Sequence, residues 1–306
     1  IIWIATQRDG LNAYNYDEQT FTAYQHNPEN PHSLITNDVT DISPSTQNDD
    51  GLWVSTYYRG IEYLNINNGQ FTHYNKSTVP SLPSNQTWTV LDGGDNNLYI
   101  GHVGSGFSIF SLKDKSVKNF QNETGNPASL PGNDVFCIIK DTNGNIWLGT
   151  NNGLALYNAA NENFITFRNN KNDKYATLCS RILSIRQLKD NRLWIASELN
   201  GIAILNLKQG MFLSPEELSI EYIQEGDDSR SLSNASARCI FQDSFDNVWI
   251  GTWGGGINFI SSKPPLFTTL SYSPIPNNEN SLNNKVASSL CMDRQGRVWI
   301  GTDGGG

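Results

Sequence analysis

The chain has 306 residues, 37% hydrophobic and 17% charged, with 26 glycines and 2 methionines, a folded and turn-rich profile that excludes intrinsic disorder. Its 21 basic and 30 acidic residues leave a formal charge of −9, which repels nucleic-acid backbone, so no nucleic-acid partner is expected. No apolar run approaches the ~20 residues that a membrane helix needs, so any membrane link would come through further parts of a longer protein.

Along the chain one tetrapeptide returns seven times. It reads Trp3-Ile4-Ala5-Thr6, Trp53-Val54-Ser55-Thr56, Tyr99-Ile100-Gly101-His102 and Trp147-Leu148-Gly149-Thr150, then Trp194-Ile195-Ala196-Ser197, Trp249-Ile250-Gly251-Thr252 and Trp299-Ile300-Gly301-Thr302. The leading aromatics are spaced by 50, 46, 48, 47, 55 and 50 residues. A period of this size built from short strands predicts an all-β propeller with one four-stranded blade per repeat, about seven blades in all. The repeats run approximately 1–37, 38–85, 86–133, 134–179, 180–236, 237–284 and 285–306, and the chain reads as a single propeller fragment. Its first repeat lacks an inner strand and its last lacks the outer two, so a longer parent chain is expected.

The fourth repeat shows the unit. Asp134 to Lys140 predicts an inner strand, Asp141-Thr142-Asn143-Gly144-Asn145 a hairpin turn, and Ile146 to Thr150 the second strand. Gly153 to Tyr157 and Phe164 to Phe167 complete the blade. The tetrapeptide Trp is expected between adjacent blades. Connectors such as Asn27-Pro28-Glu29-Asn30-Pro31-His32-Ser33-Leu34 and Asn126-Pro127-Ala128-Ser129-Leu130-Pro131 offer a Leu as an interblade plug. Cys137 and Cys239 sit in apolar runs and are expected as small core residues, and the four cysteines with four histidines have no zinc-site spacing. No metal and no cofactor are expected.

The repeated frame resembles the two-component regulator propeller repeat. The resemblance rests on Asn133-Asp134-Val135, Asp141, Gly144-Asn145-Ile146-Trp147-Leu148-Gly149-Thr150, Gly153-Leu154, Tyr157-Asn158, Phe164 and Phe167, and on the same frame at Asp243 to Thr252 and Asp293 to Thr302. The third repeat departs with Tyr99 and His102, and the fifth with Ser180-Arg181-Ile182. The resemblance implies the extracytoplasmic sensor part of a bacterial two-component protein, such as a hybrid histidine kinase, facing the periplasm. It also implies a carbohydrate ligand and a non-catalytic role for this part of the chain.

Loops on a rigid scaffold carry specificity, so the residues after each tetrapeptide are the first candidates for ligand contact at the channel mouth. They include Arg8, Asp9, Tyr57, Tyr58, Arg59, Asn152, Glu198, Asn200 and Trp253, with His102 closing its own tetrapeptide. Aromatic planes for a sugar's C–H face and polar groups for its hydroxyls suit such a set. Counting eleven residues back from each second-strand aromatic yields an inner ring of Trp88, Phe136, Leu183, Arg238 and Ser288, in which Arg238 is the polar exception. Two alternatives remain: a propeller lyase or glycoside-acting enzyme, which would need an acid/base pair such as Glu198 with His102, and an interaction propeller, possible as a homodimer.

Overall fold

The computed structural model describes the chain except for residues 95, 168–174, 208–218, 227–230, 264–271, 273–280 and 305–306. It divides into two compact units, Ile1–Ile260 and Ser261–Gly306. In the first unit the strands form six sequential antiparallel meanders. Blade one holds β1 (Ile2–Ala5), β2 (Leu11–Asn15) and β3 (Thr20–Tyr24), and blade two holds β4 (Val39–Pro44), β5 (Gly51–Thr56), β6 (Gly60–Asn65) and β7 (Gln70–Tyr74). Blade three is β8 (Thr87–Asp92), β9 (Asn97–His102), β10 (Phe107–Ser111) and β11 (Val117–Phe120). Blade four is β12 (Val135–Lys140), β13 (Ile146–Thr150), β14 (Gly153–Asn158) and β15 (Asn163–Thr166). Blade five is β16 (Ile182–Gln187), β17 (Arg192–Ser197), β18 (Ile202–Asn206) and β19 (Ile220–Ile223), and blade six is β20 (Ala237–Gln242), β21 (Val248–Thr252) and β22 (Ile257–Ile260).

The second unit carries one hairpin, β23 (Ala287–Met292) with β24 (Val298–Thr302). The expectation of about seven blades is therefore corrected to six among the described residues. The seventh repeat supplies only two strands, too few to form a blade with a buried face of its own. Elsewhere the fourth-repeat strands fall within a residue of their predicted bounds.

Each hydrophobic cluster of the first unit joins two neighbouring blades. Trp53 packs with Val90, Leu98 and Ile100 of blade three, Trp147 with Ile182 and Ile185 of blade five, and Trp194 with Ala237 and Ile240 of blade six. The connector leucines Leu34, Leu82, Leu130 and Leu232 are buried in the same seams. In the fourth connector Leu178 takes this place from a short 3₁₀ turn at Thr177–Cys179, with Tyr175 beside it. Gly60 and Gly201 open their third strands at φ 96° and 66°, and a Cβ there would meet the carbonyl oxygens of Tyr74 and Ile223 at 2.5 and 2.3 Å.

Cys239 corrects one expectation: it is exposed, whereas Cys137 is half-buried, and both thiols are free. Both line the axial cavity described below.

The repeated Asp has a defined task. Asp141 Oδ1 accepts from the amides of Asn143 and Asn145 at 2.9 Å, and Oδ2 accepts from Asn145 Nδ2 and the Trp147 indole at 2.9 Å. Asp243 and Trp249 repeat the pattern in blade six, and Asp293 and Trp299 repeat it in the hairpin unit. Blade five places Leu188 where blades four and six place Asp141 and Asp243, and the buried indole N–H of Trp194 has no partner among the described residues. A Trp147→Phe variant should therefore lose about 1–3 kcal/mol more in urea unfolding than Trp194→Phe, since only Trp147 gives up a hydrogen bond to a charged acceptor.

Candidate functional site at the axial channel

The inner strands share one irregularity. In blades two to six the register slips between the first and third residue: Val39/Asp41, Thr87/Thr89, Val135/Cys137, Ile182/Ser184 and Ala237/Cys239. A bulge of this kind re-aims the extra side chain. The extra residues are Thr40, Trp88, Phe136, Leu183 and Arg238, and all five line one cavity of about 240 Å³ between the inner strands. Four of them are the positions reached by counting eleven residues back; Ser288, the fifth so counted, occupies the matching bulge of the hairpin unit. Thr40 escapes that count because its blade has a longer turn, so the step back from Trp53 lands on Ile42.

A second cavity of about 340 Å³ opens beside the first and shares Thr40 and Trp88 with it. Gln7, Asp38, Val39 and Tyr57 complete its lining. Aromatic rings run along the shared rim: Tyr58 lies 3.9 Å from Tyr57 between ring centroids, Tyr57 6.1 Å from Trp88, and Trp88 5.7 Å from Phe136. The last two contacts are edge-to-face at 85°, and Phe136 itself is buried at the inner end of the row. The Thr40 hydroxyl is buried at this rim and forms no hydrogen bond among the described residues.

Further round, Arg181 lies 4.3 Å over Phe136 and pairs with Glu198 at 3.4 Å. Arg238 lies 4.3 Å over the ring of Trp253, which is 66% exposed. In every blade but the fourth, the loop after the second strand passes through a left-handed residue; Arg8, Tyr58 and Leu199 occupy it at φ 82°, 64° and 71°, where blades three and six use Gly104 and Gly254. Large side chains held in that region cost local strain.

The sequence candidates divide accordingly. Tyr57, Tyr58 and Trp88 form one contiguous surface, and Trp88 and Arg238 line the same cavity. Arg8, Asp9 and Arg59 are exposed on their loops but line neither cavity. Asn152 and Asn200 are engaged locally, donating to the Pro131 carbonyl at 3.0 Å and to Ser180 Oγ at 2.6 Å.

His102 is not a loop residue. It replaces the tetrapeptide Thr, and like Thr56 and Thr150 it is wholly buried. Its Nε2 lies 2.9 Å from Ser108 Oγ, and burial pushes its pKa down to about 4. Glu198 pairs with Arg181, and no contact between Glu198 and His102 occurs among the described residues. Gln7, which follows the first tetrapeptide, lines the second cavity, whereas counting along the sequence missed Asp38, Thr40, Asp41 and Arg186.

The two component regulator propeller repeat matches the chain at residues 129–152, 231–254 and 281–304. The crystal structure of the extracellular domain of a hybrid two component system from B. thetaiotaomicron superposes with a TM-score of 0.77 at 62% identity, over 99% of this chain and 37% of that one. The extracellular domain of a second such system from the same organism shares the fold at 20% identity and a TM-score of 0.62, over 98% of this chain and 35% of that one. A histidine kinase P4 of Formosa agariphila is 33% identical over 92 residues, which are 29% of this chain and 7% of that protein. The chain thus spans little more than a third of the solved domains it matches. No helix among the described residues is long and apolar enough to cross a membrane.

Proposed function

Because the chain is a member of the two-component regulator propeller repeat family, we propose that it is a ligand-sensing propeller segment on the extracytoplasmic, periplasmic side of a signal-transduction protein. Its ligand is a carbohydrate, bound non-catalytically at the channel mouth. The observation that carries this reading is the aromatic rim Tyr58–Tyr57–Trp88–Phe136 opening on two adjoining cavities. The accessible rings of Tyr57, Tyr58 and Trp88 take up the C–H face of a pyranose, while Gln7, Asp38 and Thr40 offer donors and acceptors to its hydroxyls.

A ligand that binds only the folded state raises the melting temperature by mass action. Thermal-shift screening against neutral and acidic oligosaccharides should give a saturable rise with one glycan class. Trp88→Ala should abolish that rise while leaving the unliganded melting temperature within a few degrees. A rise that survives Trp88→Ala would move the site elsewhere, and a hit recovered as a cleaved or rearranged product would replace sensing with catalysis.

A further inference from the structure

The channel cavity carries an unusual charge balance for so acidic a chain. Arg186 of β16 and Arg238 of β20 both line it, and among the described residues neither guanidinium forms an ion pair or hydrogen bond. The mouth guanidinium of Arg181, by contrast, is already neutralised by Glu198. Asp41 is the single carboxylate in the lining, and it is turned onto β8. It accepts from Thr89 Oγ1 at 2.5 Å and from the amides of Val90 and Ile42 at 3.2 and 2.9 Å. Burial also pushes its pKa up, against those bonds and the attraction of Arg186. The Cys137 thiol in the same wall is pushed up to about 12 by burial and stays neutral. Two solvent-exposed guanidiniums without an ion-pair partner, lining one half-open cavity, suit an oxyanion, which planar, fork-shaped donors bind best.

We infer that the channel takes a sugar bearing an oxyanion, a carboxylate or a sulfate, which Arg186 and Arg238 hold while the sugar ring lies against Trp88. The inference rests on the sugar reading of the same mouth and names its substrate class. Arg238 is pre-positioned by Trp253, whose face fixes the guanidinium at the rim. The cavity, at about 240 Å³, suits one anionic residue, with the adjoining 340 Å³ space for a neighbouring sugar.

The test is a tryptophan-fluorescence titration of the whole chain with D-glucuronate, D-glucose 6-sulfate and D-glucose at low ionic strength. At least one anionic sugar should saturate at a concentration tenfold or more below glucose, and which one does separates a carboxylate from a sulfate ligand. Arg186→Gln and Arg238→Gln should each weaken that binding at least tenfold. Arg192→Gln, which breaks a surface pair with Asp190 and Glu221, should leave it unchanged. Retained melting temperatures would show that the cavity variants fold. Equal affinity for all three sugars, or anion binding indifferent to either cavity arginine, would overturn the inference and leave the sugar reading standing. Binding of none of the three would overturn both.

Discussion

Asp92→Ala should unfold this propeller at markedly lower urea, losing about 3–5 kcal/mol. Asp92 is 5% exposed and accepts five hydrogen bonds. Its Oδ1 takes Thr46 Oγ1 at 2.7 Å and the Gly94 amide at 3.0 Å; its Oδ2 takes the Thr46 amide at 2.9 Å, the Trp53 indole at 3.3 Å and Ser45 Oγ at 3.4 Å. The second repeat has no Asp six residues before Trp53, and the third has Gly93 at that place with Asp92 one residue earlier. That shift by one lets a carboxylate of blade three cap the turn and indole of blade two. Its removal strands donors on two blades at once, whereas Asp243→Ala strands donors within one. Asp92→Asn should recover less than half of the loss, because its NH₂ would face the same donors. A loss under 1 kcal/mol for the alanine variant would refute the cross-blade role.

The second large effect is expected at Glu62, which is buried to 0% exposure on β6. Its carboxylate accepts from the Ile35 amide at 3.0 Å and lies 3.1 Å from His73 Nδ1, while His73 Nε2 lies 2.9 Å from the Pro31 carbonyl. The pair bolts the first connector onto the second blade. Burial raises the Glu62 pKa, and Glu62 raises that of His73. With both shifted up, the proton between them is held more tightly than on a free histidine. Glu62→Ala should cost about 3–5 kcal/mol, since it leaves His73 and the Ile35 amide without their acceptor.

The pH sign follows from linkage. The His73 contribution is full below its unfolded value of ~6.5 and is lost as pH rises through the raised folded value. His102 acts oppositely: its pKa is lowered, so stability falls as pH drops from ~6.5 towards about 4. Subtracting the melting curves of His73→Gln from wild type isolates the first effect. The difference should be largest at pH 6 and shrink towards pH 9. A pH-independent difference would show that His73 acts by packing alone.

The repeat, the strand bounds, the Asp turns and the interblade Trp and Leu were legible in the sequence because each is a local matter. A turn needs its Asp, Asn or Gly within a few residues, and an aromatic every forty-six to fifty-five residues must recur in equivalent surroundings. Only the tertiary structure decided what reaches the axis. Thr40 enters the channel through a register slip, Asp41 meets Thr89 across 48 residues of sequence, and Glu198 is claimed by Arg181. His102 falls on the same side: the sequence offers it as a ligand candidate, and only packing buries its imidazole against Ser108. The physical reason is range. Local patterns specify which face of a strand is apolar, while the pairing of blades, and hence the number of blades and the charge left free in the channel, depends on contacts between residues a whole repeat apart.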